Sequence, residues 1–196
     1  TVIQIDVPIK YEKKFISADA STDLKLKLET LRTVGTPDDL FRVVATVIGR
    51  RDGYSWSLVK HNSNGTSEEY SNVILSQTTL GQDFKIPDVG DYTLTFIATS
   101  TDEVNGLRTF SVSKELSVIG ISNRTPQVCY GESITLETSG ADFSDWSNGS
   151  SSSSITVSPT KTTTYVVEMS KLSAGTSTFT DSVTVWFGSI TVTVVS

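Results

Sequence analysis

Hydrophobic and polar residues alternate along most of the chain, with apolar side chains at every second position. The alternation begins at residues 3–9, where isoleucine and valine are separated by Gln4, Asp6 and Pro8. A period of two is typical of a strand that buries one face and leaves the other in water. The pattern predicts about seven strands before residue 118. Their apolar positions lie within residues 3–9, 24–28, 43–48, 56–58, 92–98, 110–112 and 116–118.

The segments between these runs have the composition of turns, being rich in glycine, asparagine and aspartate. They are residues 49–53, 61–66, 87–90 and 101–106. Short connections of this kind join antiparallel neighbours. No segment keeps the i, i+3, i+4 spacing of a long helix, so we expect at most short helical pieces near residues 37–41 or 78–82. The pattern therefore predicts an all-β fold.

The amino-acid composition of the chain changes after residue 120. Residues 122–126 form a polar, proline-containing segment, beyond which charged residues become fewer and serine and threonine more frequent. We expect a domain boundary here, with domains at residues 1–120 and 121–196. Strands are predicted in the second domain around residues 134–136, 146, 155–157, 165–169, 183–187 and 190–195. Gly188 and Ser189 fit either a bulge in one long strand or a two-residue hairpin turn.

One segment of the first domain resembles immunoglobulin-type domains. Residues 88–94 read Asp-Val-Gly-Asp-Tyr-Thr-Leu, which is similar to the Asp-x-Gly-x-Tyr-x-Cys segment of that family. The resemblance implies that Tyr92 takes the tyrosine-corner position, where its hydroxyl bonds to the backbone upstream. Leu94 stands where the family has cysteine. With a single cysteine in the chain, no disulfide can join the two sheets.

The second domain has a longer resemblance, which covers most of residues 122–196. Val-Cys-Tyr-Gly-Glu-Ser-Ile-Thr-Leu at 128–136, Trp-Ser-Asn-Gly at 146–149, Ile-Thr-Val-Ser-Pro-Thr at 155–160 and Thr-Thr-Thr-Tyr at 162–165 resemble Ig-like repeats of Bacteroidetes surface proteins. The resemblance implies that Trp146 fills the core and Tyr165 takes the corner. Similar repeats occur in capsid-decorating proteins of phages. We therefore expect two tandem antiparallel Ig-like β-sandwich domains without inter-sheet disulfides.

Charge and hydropathy exclude two classes of partner. The formal net charge of −6 argues against nucleic acid, which needs a clustered basic surface. No apolar stretch approaches the roughly 18 residues of a membrane span, so we expect no membrane insertion. The first 25 residues contain no continuous apolar segment of a secretion signal. Thr1 fits either a trimmed initiator methionine or a removed signal, and the two remain open.

The residues that carry most enzyme chemistry are scarce. His61, the one histidine, is expected in an exposed loop, and Cys129 lies just before a predicted strand, where half-buried packing explains it. One histidine and one cysteine cannot form a structural zinc site, and no calcium-loop pattern is present. We expect no catalytic residues, no metal site and no cofactor. Tyr54, Tyr70 and Trp186 lie outside the expected cores, where edge packing competes with a glycan or protein contact.

These observations indicate a structural or adhesive protein that is not an enzyme. The leading hypothesis is a capsid-decorating (auxiliary capsid) protein on the virion surface of a tailed phage that infects Bacteroidetes. Its partners would be other structural proteins of the particle, chiefly the capsid protein, and also host surface glycans. Residues 1–120 would anchor the chain and residues 121–196 would project outward. Two alternatives remain: an Ig-like stalk or adhesive module of a secreted or cell-surface bacterial protein, and an accessory carbohydrate-binding module.

Overall fold

The computed structural model describes residues 24–102, 105–175 and 177–188. Within these residues the fold is all-β, with one short 3₁₀ turn at Leu172–Ala174. The strands predicted at residues 3–9 and 190–195, and the turn or bulge predicted at residues 188–189, lie wholly or partly outside the described residues. Residues 37–41 form a turn that leads into a strand, and residues 78–82 do likewise. None of the helices in the described part of the chain is long and apolar enough to cross a membrane.

The first half of the chain contains eight strands within the described residues. They are β1 (Lys25–Thr30), β2 (Val34–Gly35), β3 (Phe41–Ile48), β4 (Gly53–His61), β5 (Ser67–Glu69), β6 (Gly81–Phe84), β7 (Gly90–Asp102) and β8 (Gly106–Val118). The described part of the second half contains seven. They are β9 (Gly120–Ile121), β10 (Gln127–Cys129), β11 (Ile134–Ser139), β12 (Phe143–Trp146), β13 (Ser154–Val157), β14 (Thr163–Ser170) and β15 (Thr178–Gly188).

The two halves repeat one strand plan. The sheets of the first half have the orders β1-β3-β6 and β2-β8-β7-β4-β5, and those of the second half have the orders β9-β11-β13 and β10-β15-β14-β12. When β1 is equated with β9, every strand of the second half has a counterpart in the first, and β5 is the one addition. An Ig sandwich likewise divides its A, B and E strands from its C, F and G strands. We call β1–β8 the first sandwich and β9–β15 the second sandwich.

Antiparallel pairing dominates the sheets, but each sandwich also has one short parallel pair. Val34 lies opposite Ser117 where β2 runs beside β8, and Gln127 lies opposite Trp186 where β10 runs beside β15. In each case the chain leaves the first sheet and joins the edge of the second, alongside its last strand. Two or three residues are too few to show a period in the sequence, so the alternation did not predict these strands.

Aromatic side chains dominate the core of the first sandwich. The rings of Trp56 and Phe96 meet edge to face with centroids 4.8 Å apart, and Tyr54 contacts Phe96 at 5.6 Å. The indole N–H of Trp56 donates to the carbonyl oxygen of Thr79 at 3.0 Å, so the buried nitrogen is satisfied. Complete burial of a side chain such as Phe96 contributes roughly 1.5–3 kcal/mol. No disulfide is present, since the sole cysteine is free.

The second sandwich has a smaller core in which aliphatic residues surround one indole. Trp146 is buried, and its N–H donates to the carbonyl oxygen of Ser152 at 2.8 Å. Its fully or nearly buried apolar neighbours are Ile119, Ile121, Val128, Leu136, Ile155, Val157, Val167, Met169, Val183 and Val185. Val34 also belongs to this cluster, although it lies on β2 of the first sandwich. One side chain of the first sandwich is therefore buried in the core of the second.

Candidate functional site

Tyr92 lies at the end of the first sandwich that faces the second. Its side chain is 0% exposed, and its hydroxyl donates to the carbonyl oxygen of Asp88 at 2.8 Å. Tyr70 packs edge to face against it at 5.1 Å and donates its own hydroxyl to the Asp88 carboxylate at 2.6 Å. Burial, followed by the charge environment of Tyr70 and Asp88, raises the pKa of Tyr92 far above its ordinary value. Both phenols are therefore neutral hydrogen-bond donors that brace the start of β7.

The other aromatic candidates have different environments. Trp146 is buried in the second core, while Tyr165 is half-buried at the edge of that core. Tyr54 is half-buried against Phe96. Trp186 differs from all of these because its side chain is 58% exposed on β15. Of the three aromatics considered for a surface contact, Trp186 is the one that the structure leaves largely in solvent.

The structure does not bring His61 and Cys129 together. His61 is the last residue of β4 rather than part of a loop, and its ring nitrogens contact Thr93 Oγ1 at 2.6 Å and Ser67 Oγ at 2.8 Å. Cys129 ends β10 in the other sandwich and is exposed rather than half-buried, because β10 is an edge strand. Within residues 24–102, 105–175 and 177–188, no group of three or more His, Cys, Asp or Glu side chains is arranged to hold a metal ion.

The junction between the sandwiches is a buried strand rather than a polar linker. β8 ends at Val118, Ile119 follows, and β9 begins at Gly120. Ile119 and Ile121 are both 0% exposed and belong to the core of the second sandwich. The N–H of Ile119 donates at 2.9 Å to the carbonyl oxygen of Gly35 in the first sandwich. The chain thus enters the second sandwich at residues 119–121, and the polar segment at 122–126 connects β9 to β10.

Asp181 is the polar centre of this junction. Its side chain is 3% exposed, and Oδ2 accepts hydrogen bonds from Ile121 N at 2.8 Å and Arg124 Nη1 at 2.5 Å. Oδ1 accepts from the N–H of Ser182 at 2.8 Å. A buried carboxylate is tolerated only when it is paired in this way. The sequence carried a signal for it, because Asp181 occupies an inward position of the alternation that continues at Val183.

Gly120 lies at a close approach between the two sandwiches. A Cβ atom on Gly120 would lie 2.7 Å from Asp181 Oδ2, 3.1 Å from Val89 Cγ1 and 3.3 Å from Pro37 Cδ. Val89 and Pro37 are loop residues of the first sandwich, and Asp181 belongs to the second. Any larger side chain at position 120 would force these groups apart. Nothing in the local sequence distinguishes this glycine from those in turns.

Two charged contacts flank the buried junction. Lys171 Nζ lies 3.4 Å from Asp91 Oδ1 of the first sandwich and donates to the carbonyl oxygen of Gly140 at 3.0 Å. On the other flank, Arg124 Nη2 lies 4.0 Å from Asp38 Oδ2. Exposed pairs of this kind contribute little to stability, but they bridge the sandwiches at two places. Apolar side chains therefore pack at the centre of the junction, and pairs of charged side chains connect the two sandwiches at its margin.

A cavity of about 670 Å³ opens beside the junction, with walls from both sandwiches. Arg32 and Asp39 form an ion pair on one wall, and Phe179 lies on the other. Burial alone would raise the pKa of Asp39, but the hydrogen bond from the Thr36 N–H and the contacts with Arg32 outweigh it and lower that pKa. The charged groups in this cavity are thus engaged with each other.

No protein-family model matches the chain, and no curated protein matches it. Among solved structures, murine CEACAM1b is similar at 15% identity over 85% of this chain and 100% of that one, with a TM-score of 0.33. The three N-terminal domains of the bacteriophage RB49 Highly Immunogenic Outer Capsid protein (Hoc) are similar at 14% identity over 84% and 59%, with a TM-score of 0.29.

The Down Syndrome Cell Adhesion Molecule structure, with its N-terminal eight Ig domains, is similar at 14% identity and a TM-score of 0.31. The similarity covers 80% of this chain and 25% of that one, so the chain spans a quarter of that structure. All three TM-scores are below 0.5, and the Ig-like fold is therefore assigned from the strand order and not from these similarities.

Proposed function

We propose that this chain is a structural and adhesive protein built from two Ig-like domains, residues 1–120 and 121–196, that are held in a fixed relative orientation. The observation that carries the proposal is the buried junction, in which Val34, Ile119 and Ile121 lie in the core of the second sandwich. Domains of one chain move relative to each other unless their interface is large and apolar. A stiff pair of sandwiches suits a protein that holds one end at a surface and presents the other.

The specific setting that we propose is the virion surface of a tailed phage infecting Bacteroidetes, where the chain decorates the capsid. The support for this setting is the resemblance of residues 128–165 to Ig-like repeats that occur both on those bacteria and in phage structural proteins. The first domain would bind the capsid protein and the second would project toward host surface glycans. A display role requires no catalytic group.

The same junction also suits a stalk or adhesive module of a secreted or cell-surface bacterial protein. The exposed indole of Trp186 additionally favours a carbohydrate-binding role, either as an accessory module of an enzyme or as part of the display function. Identifying the proteins that accompany the chain in its native assembly would distinguish these alternatives.

The proposal is tested by mass spectrometry of tailed-phage particles purified by density gradient, with cryo-electron microscopy of the same particles. We expect the chain in the particles at a fixed ratio to the capsid protein, with two-lobed density on the capsid exterior. Recovery of the chain in bacterial envelope or culture-supernatant fractions, without particles, would contradict the phage setting and support the stalk.

The anchoring assignment is best tested with surface variants of the full chain. Truncation at residue 122 would expose Ile119, Ile121 and Val34, which the second sandwich buries. We expect Ile48→Glu, at an exposed site on the first sandwich far from the junction, to reduce incorporation into particles. The matched variant Phe143→Glu, exposed on the second sandwich, should leave incorporation unchanged. The opposite result would reverse the two roles.

A further inference from the structure

The end of the second sandwich that faces away from the junction carries a shallow groove. Its volume is about 350 Å³, and it is lined by the ends of β10 and β15 together with Glu132. Trp186, which is 58% exposed, lies directly opposite Gln127 in the register of these two strands. Nearby, Tyr130 is 82% exposed and meets Phe187 edge to face at 6.4 Å. No other groove described above combines an exposed indole with polar side chains.

The polar groups beside the Trp186 indole, an amide and a carboxylate, are of the kinds that bind the hydroxyls of a ligand. The side chain of Gln127 carries both a donor and an acceptor. Glu132 accepts a hydrogen bond from the N–H of Cys129 through Oε2 at 3.2 Å, which places its carboxylate at the groove wall. The groove thus offers one flat apolar face bordered by an amide and a carboxylate.

We propose that this groove binds a neutral saccharide, with a pyranose ring stacked on Trp186. One face of such a ring presents C–H groups of about the size of an indole, and its rim presents hydroxyls that pair with Gln127 and Glu132. The volume is at the lower end of the roughly 300–1,000 Å³ of small-ligand sites. This inference rests on the adhesive role proposed above and names the class of ligand that the second domain contacts.

The charge of the groove selects among saccharides. Glu132 is the charged side chain among the described residues that line it, and a carboxylate repels sulfated or uronic-acid polymers. The formal net charge of −6 for the whole chain acts in the same direction. A neutral polymer meets no such barrier.

The size of the apolar patch favours a saccharide over a protein. A specific protein interface buries about 1,200–2,000 Å² in total and has a core depleted of charged residues. Here the exposed aromatic side chains are Trp186 and the nearby Tyr130, and the polar Gln127 and the charged Glu132 stand beside them. This apolar surface is large enough to stack one sugar ring and too small for the core of a specific protein interface.

The test is affinity electrophoresis and isothermal titration calorimetry of the full chain with dextran, mannan, galactomannan and xyloglucan, and with chondroitin sulfate as the charged comparison. We expect binding to at least one neutral polymer and none to chondroitin sulfate. Trp186→Ala should weaken binding about tenfold or more, and Trp186→Phe less. Phe143→Ala, which removes an exposed aromatic at the opposite end of the sandwich, should bind like the unmodified chain. Unchanged melting temperatures exclude misfolding as the cause.

The outcomes separate this inference from the proposed function. If the full chain binds none of the neutral polymers, binds only the sulfated one, or binds equally well after Trp186→Ala, the saccharide site is wrong, whatever the particle fractions show. If Trp186→Ala instead removes the chain from purified particles without any saccharide binding, the groove is a protein contact and decoration stands. If the chain binds a neutral polymer through Trp186 but is absent from particles, the saccharide site stands and capsid decoration fails.

Discussion

Gly120→Ala is the substitution that tests the junction most sharply. The new methyl carbon would lie 2.7 Å from Asp181 Oδ2 and 3.1 Å from Val89 Cγ1, and real Cβ atoms do not approach other atoms as closely as the first of these distances. The backbone at position 120 is not left-handed, so the cost arises from contact and not from backbone strain. Either Asp181 moves or the two sandwiches separate.

The magnitude follows from what the displaced carboxylate loses. Asp181 Oδ2 bonds to Ile121 N and Arg124 Nη1, and disrupting a buried group of this kind costs about 1–3 kcal/mol. Overpacking against Val89 adds about 1–3 kcal/mol. We expect the free energy of unfolding to fall by about 3 kcal/mol in total, which for a chain of this length lowers the melting temperature by about 6–12 °C.

Urea and thermal unfolding of matched variants measure this effect. Gly81→Ala is the control, since its new Cβ would meet only Val43 O at 3.9 Å, and it should change stability by no more than about 0.5 kcal/mol. In a background that carries Asp181→Ala, Gly120→Ala should cost at least about 1 kcal/mol less than in the unmodified chain. If Gly120→Ala is as mild as Gly81→Ala, or costs the same in both backgrounds, the described packing of the junction is wrong.

Two further predictions concern the first sandwich. Tyr92→Phe removes the donor to Asp88 O and leaves that carbonyl without its partner, so the free energy of unfolding should fall by about 1–2 kcal/mol in urea titrations; no change would contradict a bracing role. The Thr36 N–H and the Arg32 guanidinium hold the pKa of Asp39 below its ordinary value in the folded chain. The contribution of Asp39 to stability is therefore present above the ordinary pKa and is lost as the pH falls through the lowered pKa. Thermal melts from pH 7 to pH 2 should therefore show a smaller acid destabilisation for Asp39→Asn than for the unmodified chain, and identical profiles would refute this contribution.

Alternation and motif predicted the regular parts of the fold. In β7 the alternate positions Tyr92, Leu94, Phe96 and Ala98 are all buried, because a strand that buries one face does so with a period of two. The run at residues 43–48 was expected to be buried throughout, but in β3 Val43 and Ala45 are buried whereas Val44 and Ile48 are exposed. The segment at residues 88–94 led to Tyr92, whose hydroxyl bonds upstream as the Ig resemblance implies. Local patterns of this kind depend on a few neighbouring residues, so they can be recognised in a single sequence.

The junction depends on residues far apart in the chain, and the sequence did not predict it. Val34 enters the second core from a two-residue strand, and Gly120 matters only because Val89 and Asp181 lie beside it. The change in composition led to a boundary after residue 120, but it gave no indication that the crossing is packed. Ile119 and Ile121 are buried there, and an apolar crossing resembles any other strand in the sequence.

Hydrogen–deuterium exchange at the junction tests the stiffness of the pair most directly. The N–H of Ile119 donates to Gly35 O, and that of Ile121 donates to Asp181 Oδ2. If the sandwiches form one stiff unit, both amides should exchange within about tenfold of the rate of the amides in the centre of β7. Exchange at the rate of an unprotected linker would show that the sandwiches move independently, and the proposed structural role would lose its basis.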